Sequence, residues 1–495
     1  MPAEIELKLA INPRQVSRLL RHPLLKSPGA KTTTLKSVYY DTVKFDLRER
    51  GFALRLRRIG RRTVQTLKAE GKVEGGLHER PEWEAETRAG QLNSQALKVT
   101  PLAECCALDE IALKPVFVTE FKRAHRVLES PEHVVEFALD QGEIRANGVS
   151  VAISEIELEL VSGAPTQLFE LALQFNKAAP LRIANQSKAD RGYALAAGAS
   201  RKPVKARPLK LTPNMTVSDA LKAIAFDCIA HFEANVAERH ADPEYVHQMR
   251  VALRRLRSAL TLFGMIIPKG ALASHRNEIR WLARELGAAR DWDVFTVSTL
   301  PAILAQFPDH AGLHALLRRA QKARRSANAQ AQKAVSSQRT AEFFLRLCAW
   351  LATDAWMSMA TESMRQALSF PIAGFAGAVL AKRHKHVLKV SPAALDAEAR
   401  HRLRIALKKL RYAAEFFAPL FTKRRVQKYI SGLMALQDVL GELNDGAVTG
   451  GLLDSLPDEP EAVGMARAFT AARVQTKTGE LDQAWENWLR VKTFW

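Results

Sequence analysis

The chain has 495 residues, 47% of them hydrophobic and 25% charged, the composition of an ordinary soluble globular protein with room for two or three domains. No apolar run approaches the ~20 residues of a membrane helix, and Cys105, Cys106, Cys228 and Cys348 show no CxxC or zinc spacing. The formal net charge is +21: residues 1–200 carry 29 Lys/Arg against 25 Asp/Glu, and residues 201–495 carry 44 against 27. A polyanionic partner is therefore expected for the second part. No signal peptide precedes the first strand, so a cytoplasmic protein without a disulfide framework is expected.

Glu4-Ile5-Glu6-Leu7-Lys8-Leu9 alternates with period two. As a strand it puts Glu4, Glu6 and Lys8 on one face. Asn12 and Pro13 predict the start of a helix over 13–25. Strands are predicted at 37–42, 51–59 and 64–68, with Gly60-Arg61-Arg62 as the turn between the last two. Further strands are expected at 116–127 and at 134–140, the latter ending on a Gln141-Gly142-Glu143 turn. Ser154 to Leu160 repeats the opening pattern with Glu155, Glu157 and Glu159, and a helix is expected over 166–175. Ser27 to Thr32 resembles the end of a P-loop, but Ala30 stands where glycine must precede the lysine, so it reads as a loop.

Strand after strand carries charge on one face and aliphatics on the other. The charges are of both signs: Glu4, Glu6, Glu157 and Glu159 against Lys8, Arg55, Arg57, Lys68, Arg123 and Lys188. In an open sheet this face would be solvated. Rolled into a barrel, it would make a polar tunnel with a basic wall and an acidic patch. That arrangement suits a polyphosphate held by Arg and Lys, with Mg²⁺ bridging its oxygens to the carboxylates.

Glu4-Ile5-Glu6-Leu7-Lys8 resembles the ExExK signature of the CYTH domain, the triphosphate tunnel metalloenzymes. The resemblance continues through Tyr39-Tyr40-Asp41-Thr42, Leu54-Arg55-Leu56-Arg57, Ala138 to Gly142, Glu155 to Leu160 and Ser187 to Tyr193. It implies an eight-stranded antiparallel β tunnel that binds triphosphate and a divalent metal, Mg²⁺ or alternatively Mn²⁺. Carried over by position, Glu4 and Glu6 would be metal-side carboxylates, with Glu157 and Glu159 opposite. Lys8, Arg55, Arg57, Lys68, Arg123 and Lys188 would cradle phosphates, and Lys8 would join the four glutamates in catalysis. Asp140 and Glu84 are either direct site residues or salt-bridge partners. Glu155, at its strand's start, is expected to face solvent, and Arg58 to lie at the surface.

Residues 201–212 read as a basic, Pro-containing linker, after which the texture turns helical to residue 495. Asp242-Pro243 and Asp396 are predicted helix starts. His247 to Arg257 matches His401 to Arg411, and Leu286 to Asp291 matches Leu440 to Asp445, both at an offset of 154. Two motifs at one offset argue for a duplicated helical module. Helical spacing puts His247, Arg250, Arg254 and Arg257 on one face, and likewise His401, Arg404, Lys408 and Arg411. Such a stripe is ordinarily solvated. Here like charges stack without acidic partners one turn on, which is unfavourable unless an anion compensates.

The doubled HxxR pattern resembles the CHAD domain, a helical module with pseudo-twofold bundles implicated in binding polyphosphate. The expected architecture is α+β: a tunnel domain at 1–200, a linker at 201–212 and an all-α domain at 213–495. The CYTH–CHAD pairing is similar to bacterial inorganic triphosphatases. It implies metal-dependent hydrolysis of inorganic triphosphate in the tunnel and binding of long-chain polyphosphate by the helices. A non-catalytic polyphosphate-binding scaffold is the alternative, as is a tunnel enzyme acting on thiamine triphosphate or ATP, including an adenylate cyclase. Aromatics do not interleave with the basic stripes, so nucleic acid is not the expected partner, and no membrane is.

Overall fold

The structure, a computed structural model, describes residues 4–495 except 27–30, 89, 106–111, 200–201, 237–241, 390–395 and 457. Most of the P-loop-like segment lies outside the described residues. Two compact units emerge. The first comprises residues 1–202 with 336–355, and the second 203–335 with 356–495. Residues 336–355 thus join the first unit, although the sequence boundaries place them inside the helical domain.

Among the described residues the first unit carries one antiparallel sheet of eleven strands: β1 (Glu4–Ile11), β2 (Lys31–Asp41), β3 (Phe52–Ile59), β4 (Arg62–Ala69), β5 (Lys72–Glu74), β6 (Leu77–Arg80), β7 (Glu82–Thr87), β8 (Lys114–Glu129), β9 (Val134–Ala146), β10 (Val149–Ser162) and β11 (Leu181–Ile183). The order is β5-β6-β1-β10-β9-β8-β2-β3-β4-β7, with β11 on β1. The expected eight strands are the eight long ones, β1 to β4 and β7 to β10. Between β1 and β7, the ends of that run, side chains make the link: Lys68 Nζ on β4 reaches Glu4 Oε2 at 2.9 Å and Glu82 Oε2 at 2.6 Å.

Two local expectations are corrected. β9 does not stop at Asp140 but runs to Ala146, and the turn is at Asn147-Gly148, both with positive φ. Gly142 is needed for another reason: a Cβ there would lie 2.1 Å from Glu120 O on β8, so it permits close strand approach. The stretch 13–25 is not one helix. Pro23 restarts it, leaving Val16–Leu19 and Pro23–Lys26 as separate turns behind the Asn12 cap.

The longer helices are α1 (Pro165–Ala178), α2 (Lys188–Ala196), α3 (Val217–Ala234), α4 (Pro243–Phe263), α5 (Ala273–Val294), α6 (Ala311–Val335), α7 (Gln338–Ala352), α8 (Ile372–Leu388), α9 (Ala397–Phe417), α10 (Lys423–Asp454) and α11 (Pro460–Leu489). In the second unit the C-terminal ends of α3, α4 and α6 recur at those of α8, α9 and α11 at the 154 offset. The two copies touch reciprocally: Val217 N–H donates to Phe370 O at 2.9 Å, and Ile372 N–H to Met215 O at 2.8 Å. Asp242 and Asp396 cap α4 and α9 as expected, accepting from Glu244 N and Ala399 N. The basic linker is pinned at Val204, whose N–H and C=O both bond the buried Asn235 amide.

Candidate active site and anion groove

Residues opposite one another in an antiparallel ladder share a face, so the register assembles the site. Glu6 lies opposite Glu159 and Lys8 opposite Glu157 on β1 and β10. Glu155 lies opposite Asp140, and Asp140 opposite Arg123. Across the sheet Tyr39 faces Arg55, Ser37 faces Arg57, and Lys68 faces Glu82. Nine of the ten expected tunnel residues fall on this one face, and the tenth, Lys188, reaches it from helix α2.

The motif Ser187 to Tyr193 supplies α2. Ser187 and Asp190 form a reciprocal capping box, and Asp190 is also held by Arg48 at 2.7 Å. This fixes the first turn, from which Lys188 and Arg191 reach the carboxylates. Gly192 is required because a Cβ would meet the Phe117 ring at 2.1 Å.

Lys188 Nζ sits among three carboxylates: Asp140 Oδ2 at 2.7 Å, Glu157 Oε1 at 2.9 Å, and Glu155. Those three acids are close enough to hold a metal, but the ammonium already occupies their centre. Glu157 also meets Lys8 at 2.5 Å and Arg123, which grips Asp140 bidentately at 2.7 Å. Burial would push the Glu157 carboxyl up, but Lys188, Lys8 and Arg123 hold it well below the usual range. Glu155 does not face solvent. It is 3% exposed and paired with Lys188 and Arg191, because α2 closes over the start of β10.

The other acidic group is short of cations. Burial first, then Glu4, Glu6 and Glu136, drive the Glu159 carboxyl up to about 7. Burial also raises Glu4, helped by a hydrogen bond with Glu82. Glu6 has Lys8 at 2.7 Å, Glu4 has Lys68, and among the described residues Glu159 has no ion pair. Glu4, Glu6 and Glu159 offer the charged oxygen donors a hard divalent cation takes, with Glu6 opposite Glu159, although the three acids already within ligating distance of one another are Asp140, Glu155 and Glu157.

The basic wall faces them. Burial, then Arg55 and Arg123, lower Arg57 to about 10, and its Nε donates to Ser37 Oγ at 3.1 Å. Arg55 is 9% exposed, bonded to Tyr39 and 3.4 Å from Glu82. Arg58 points out to Gly60 O, as expected. Asp140 is a salt-bridge partner, whereas Glu84 is exposed and accepts from Thr66 Oγ1 at 2.9 Å. Sequence reasoning gave no role to Glu82, Tyr39 or Arg191. Glu82 shares the parity of Glu84, but only the β4–β7 register sets it against Lys68.

In the helical unit, Arg250, Arg254, Arg404, Lys408 and Arg411 gather from α4 and α9. Burial, then Arg404, Arg254, Arg411 and Arg250, lower Lys408 to about 7. Burial and Arg290 take His247 down to about 4, so it is neutral. Arg254 Nε donates to Tyr412 Oη at 3.2 Å, Arg250 Nη1 to Ala283 O at 3.2 Å, and Arg404 Nη1 to Asn444 Oδ1 at 3.2 Å. Gly287 lets Arg250 lie against α5, since a Cβ would come 2.9 Å from Nη1. The second repeated motif thus seats the arginines of the first. Its Asp291 and Asp445 are both raised by burial and lie within electrostatic reach of each other. His401 and Arg257 are exposed. One expectation is corrected: Arg411 does have an acidic partner one turn on, Glu415 at 3.6 Å.

A curled antiparallel sheet lined by opposed acidic and basic groups, followed by duplicated basic helices, defines a two-part α+β protein. The chain belongs to the proteins that join a CYTH domain to a CHAD domain: family models match at residues 2–193 and 223–454, respectively. It is 36% identical over 202 residues to the inorganic triphosphatase of Haemophilus influenzae, covering 39% of this chain and 55% of that protein. The match thus spans about half the length of that curated relative. The crystal structure of the CHAD domain from the plant Ricinus communis is similar at 35% identity and a TM-score of 0.53, covering 60% of this chain and 99% of that one. Among the described residues, no helix is long and apolar enough to cross a membrane.

Proposed function

We propose that the tunnel unit hydrolyses inorganic triphosphate to diphosphate and phosphate with a divalent metal, Mg²⁺ by preference and Mn²⁺ as a substitute, held by Glu4, Glu6 and Glu159. The observation that carries this reading is Glu6 opposite Glu159, with Glu159 raised to about 7. A side of the tunnel short of positive charge stands against a wall rich in it, and a metal triphosphate supplies what both lack. The 36% identity to an inorganic triphosphatase supports the same reading.

Arg55, Arg57, Arg123, Lys8, Lys68 and Lys188 bind and orient the phosphates and neutralise the diphosphate as it leaves. Water attacks the terminal phosphorus, the P–O bond to diphosphate breaks, and a proton is released. Bound metal would neutralise phosphate charge and lower the pKa of water. Glu157, already held by three cations, organises the basic wall in this reading more than it ligates metal.

The helical unit binds long-chain polyphosphate along Arg250, Arg254, Arg404, Lys408 and Arg411, with His247, Arg257 and His401 at its margins. The burial of Lys408 and its repulsion by the neighbouring arginines, which together lower it, support this. Orthophosphate release from triphosphate, ATP and thiamine triphosphate, with and without Mg²⁺, is the test. Triphosphate turnover that needs metal is expected. Binding without turnover of any of the three would favour a scaffold.

A further inference from the structure

Helix α7 lies in the sequence between the two helical repeats, after α6 ends at Val335 and before α8 begins at Ile372, yet it belongs to the tunnel unit. It packs against α1 and β11. Phe343, Phe344, Leu345, Leu347 and Leu351 are each no more than 3% exposed, so the helix is buried well beyond one narrow stripe. The buried Asn176 of α1 ties three elements together. Its Nδ2 donates to Gln338 O at the start of α7 at 3.4 Å, and its Oδ1 accepts from Leu181 N of β11 at 3.0 Å. β11 pairs with β1, Ile183 opposite Leu9, and Ala184 N donates to Lys8 O at 3.0 Å. Helix α7 is therefore linked, through α1 and β11, to the strand that carries Glu4, Glu6 and Lys8.

We infer that the α1–β11 face of the tunnel unit is a docking surface for one apolar helix, and that its occupant is residues 336–355 of the same chain. The tunnel domain is then discontinuous in sequence, and a cut at residue 200 removes one of its elements. Residues 1–202 alone would leave the face that α7 covers open to water, the kind of surface that recruits a helix or aggregates.

The test uses the full chain with a protease recognition sequence inserted after Arg201. After cleavage, residues 1–201 and the remainder should co-elute in size-exclusion chromatography at the size of one chain. Cleavage of a Leu345→Asp variant should release the first fragment. If that variant fails to fold by circular dichroism, Asn176→Ala with Ala341→Asp is read in the same way. The inference is overturned if the cut parent chain separates. It is equally overturned if the cut, folded variants stay joined as the parent does, or if the fragments co-elute only at the size of two chains.

Discussion

Glu6 on β1 lies directly opposite Glu159 on β10, and Glu159 lies opposite Glu136 on β9. Like charges on adjacent strands weaken a sheet, and this row crosses three of them. A fold keeps such a row where a ligand uses it. In the proposed reading that ligand is a metal-bound phosphate chain, because the opposite wall carries Arg55, Arg57 and Arg123.

The first prediction follows from Glu159. Its carboxyl rises from 4.5 in the free state to about 7 in the fold. The fold therefore favours the protonated form, and stability from this group is present below pH 4.5 and lost as pH climbs through 7. Without divalent metal, Glu159→Gln should raise stability at pH 8 by about 1–2 kcal/mol, and by little at pH 4.5. Thermal melts at the two pH values read it. A melting point at pH 8 equal to or below the parent's would contradict it.

Lys188 makes the opposite case. Its ammonium lies among Asp140, which is fully buried, Glu155 and Glu157. Lys188→Met leaves buried carboxylates facing each other, and should destabilise the tunnel unit by about 3–5 kcal/mol. Adding Asp140→Asn should recover part of the loss. A Lys188→Met protein that melts with the parent would contradict this and show that Lys8, Arg123 and Arg191 suffice to compensate these acids.

Lys408 predicts a pH dependence for polyphosphate binding. Burial, Arg404, Arg254, Arg411 and Arg250 bring it to about 7, and a bound anion favours its charged form. Binding should be strongest below pH 7 and weaken as pH rises above it, with proton uptake seen by calorimetry in buffers of different ionisation heat. In Lys408→Arg the slope should flatten. A pH-independent affinity in the parent would refute the titration.

The groove itself is tested by Arg250→Glu with Arg254→Glu. Long-chain polyphosphate should bind at least tenfold more weakly at low salt, and the salt dependence of binding should become shallower as fewer counterions are released. Triphosphate hydrolysis should barely change, because the tunnel residues belong to the other unit. Equal affinity of parent and variant at two salt concentrations would return the stripe to an ordinary solvated face.

Much of this was legible in the sequence because β periodicity is local. Parity alone put Glu4, Glu6 and Lys8 together on one face of their strand and Glu157 and Glu159 together on one face of theirs, and the 154 offset revealed the duplicated helices. What escaped was set by contacts far apart in the chain. Glu155 looked exposed at its strand's start because nothing local shows α2 closing over it. Gly142 looked like a turn because a glycine needed for close packing against Glu120 reads the same as one needed for φ. Glu82 had the right parity, but its meeting with Lys68 depends on the β4–β7 register. Helix α7 was counted with the helical repeats because its sequence neighbours are helices, whereas its packing partners are α1 and β11.

The central claim is that Glu4, Glu6 and Glu159 hold the metal that turns over triphosphate. The most direct measurement is orthophosphate release from triphosphate at saturating Mg²⁺, comparing the parent with Glu6→Gln, whose fold is checked by circular dichroism. The account predicts a rate lower by about 10²-fold or more, the usual cost of removing a charge-stabilising group. A folded Glu6→Gln protein that hydrolyses triphosphate at the parent rate would contradict it.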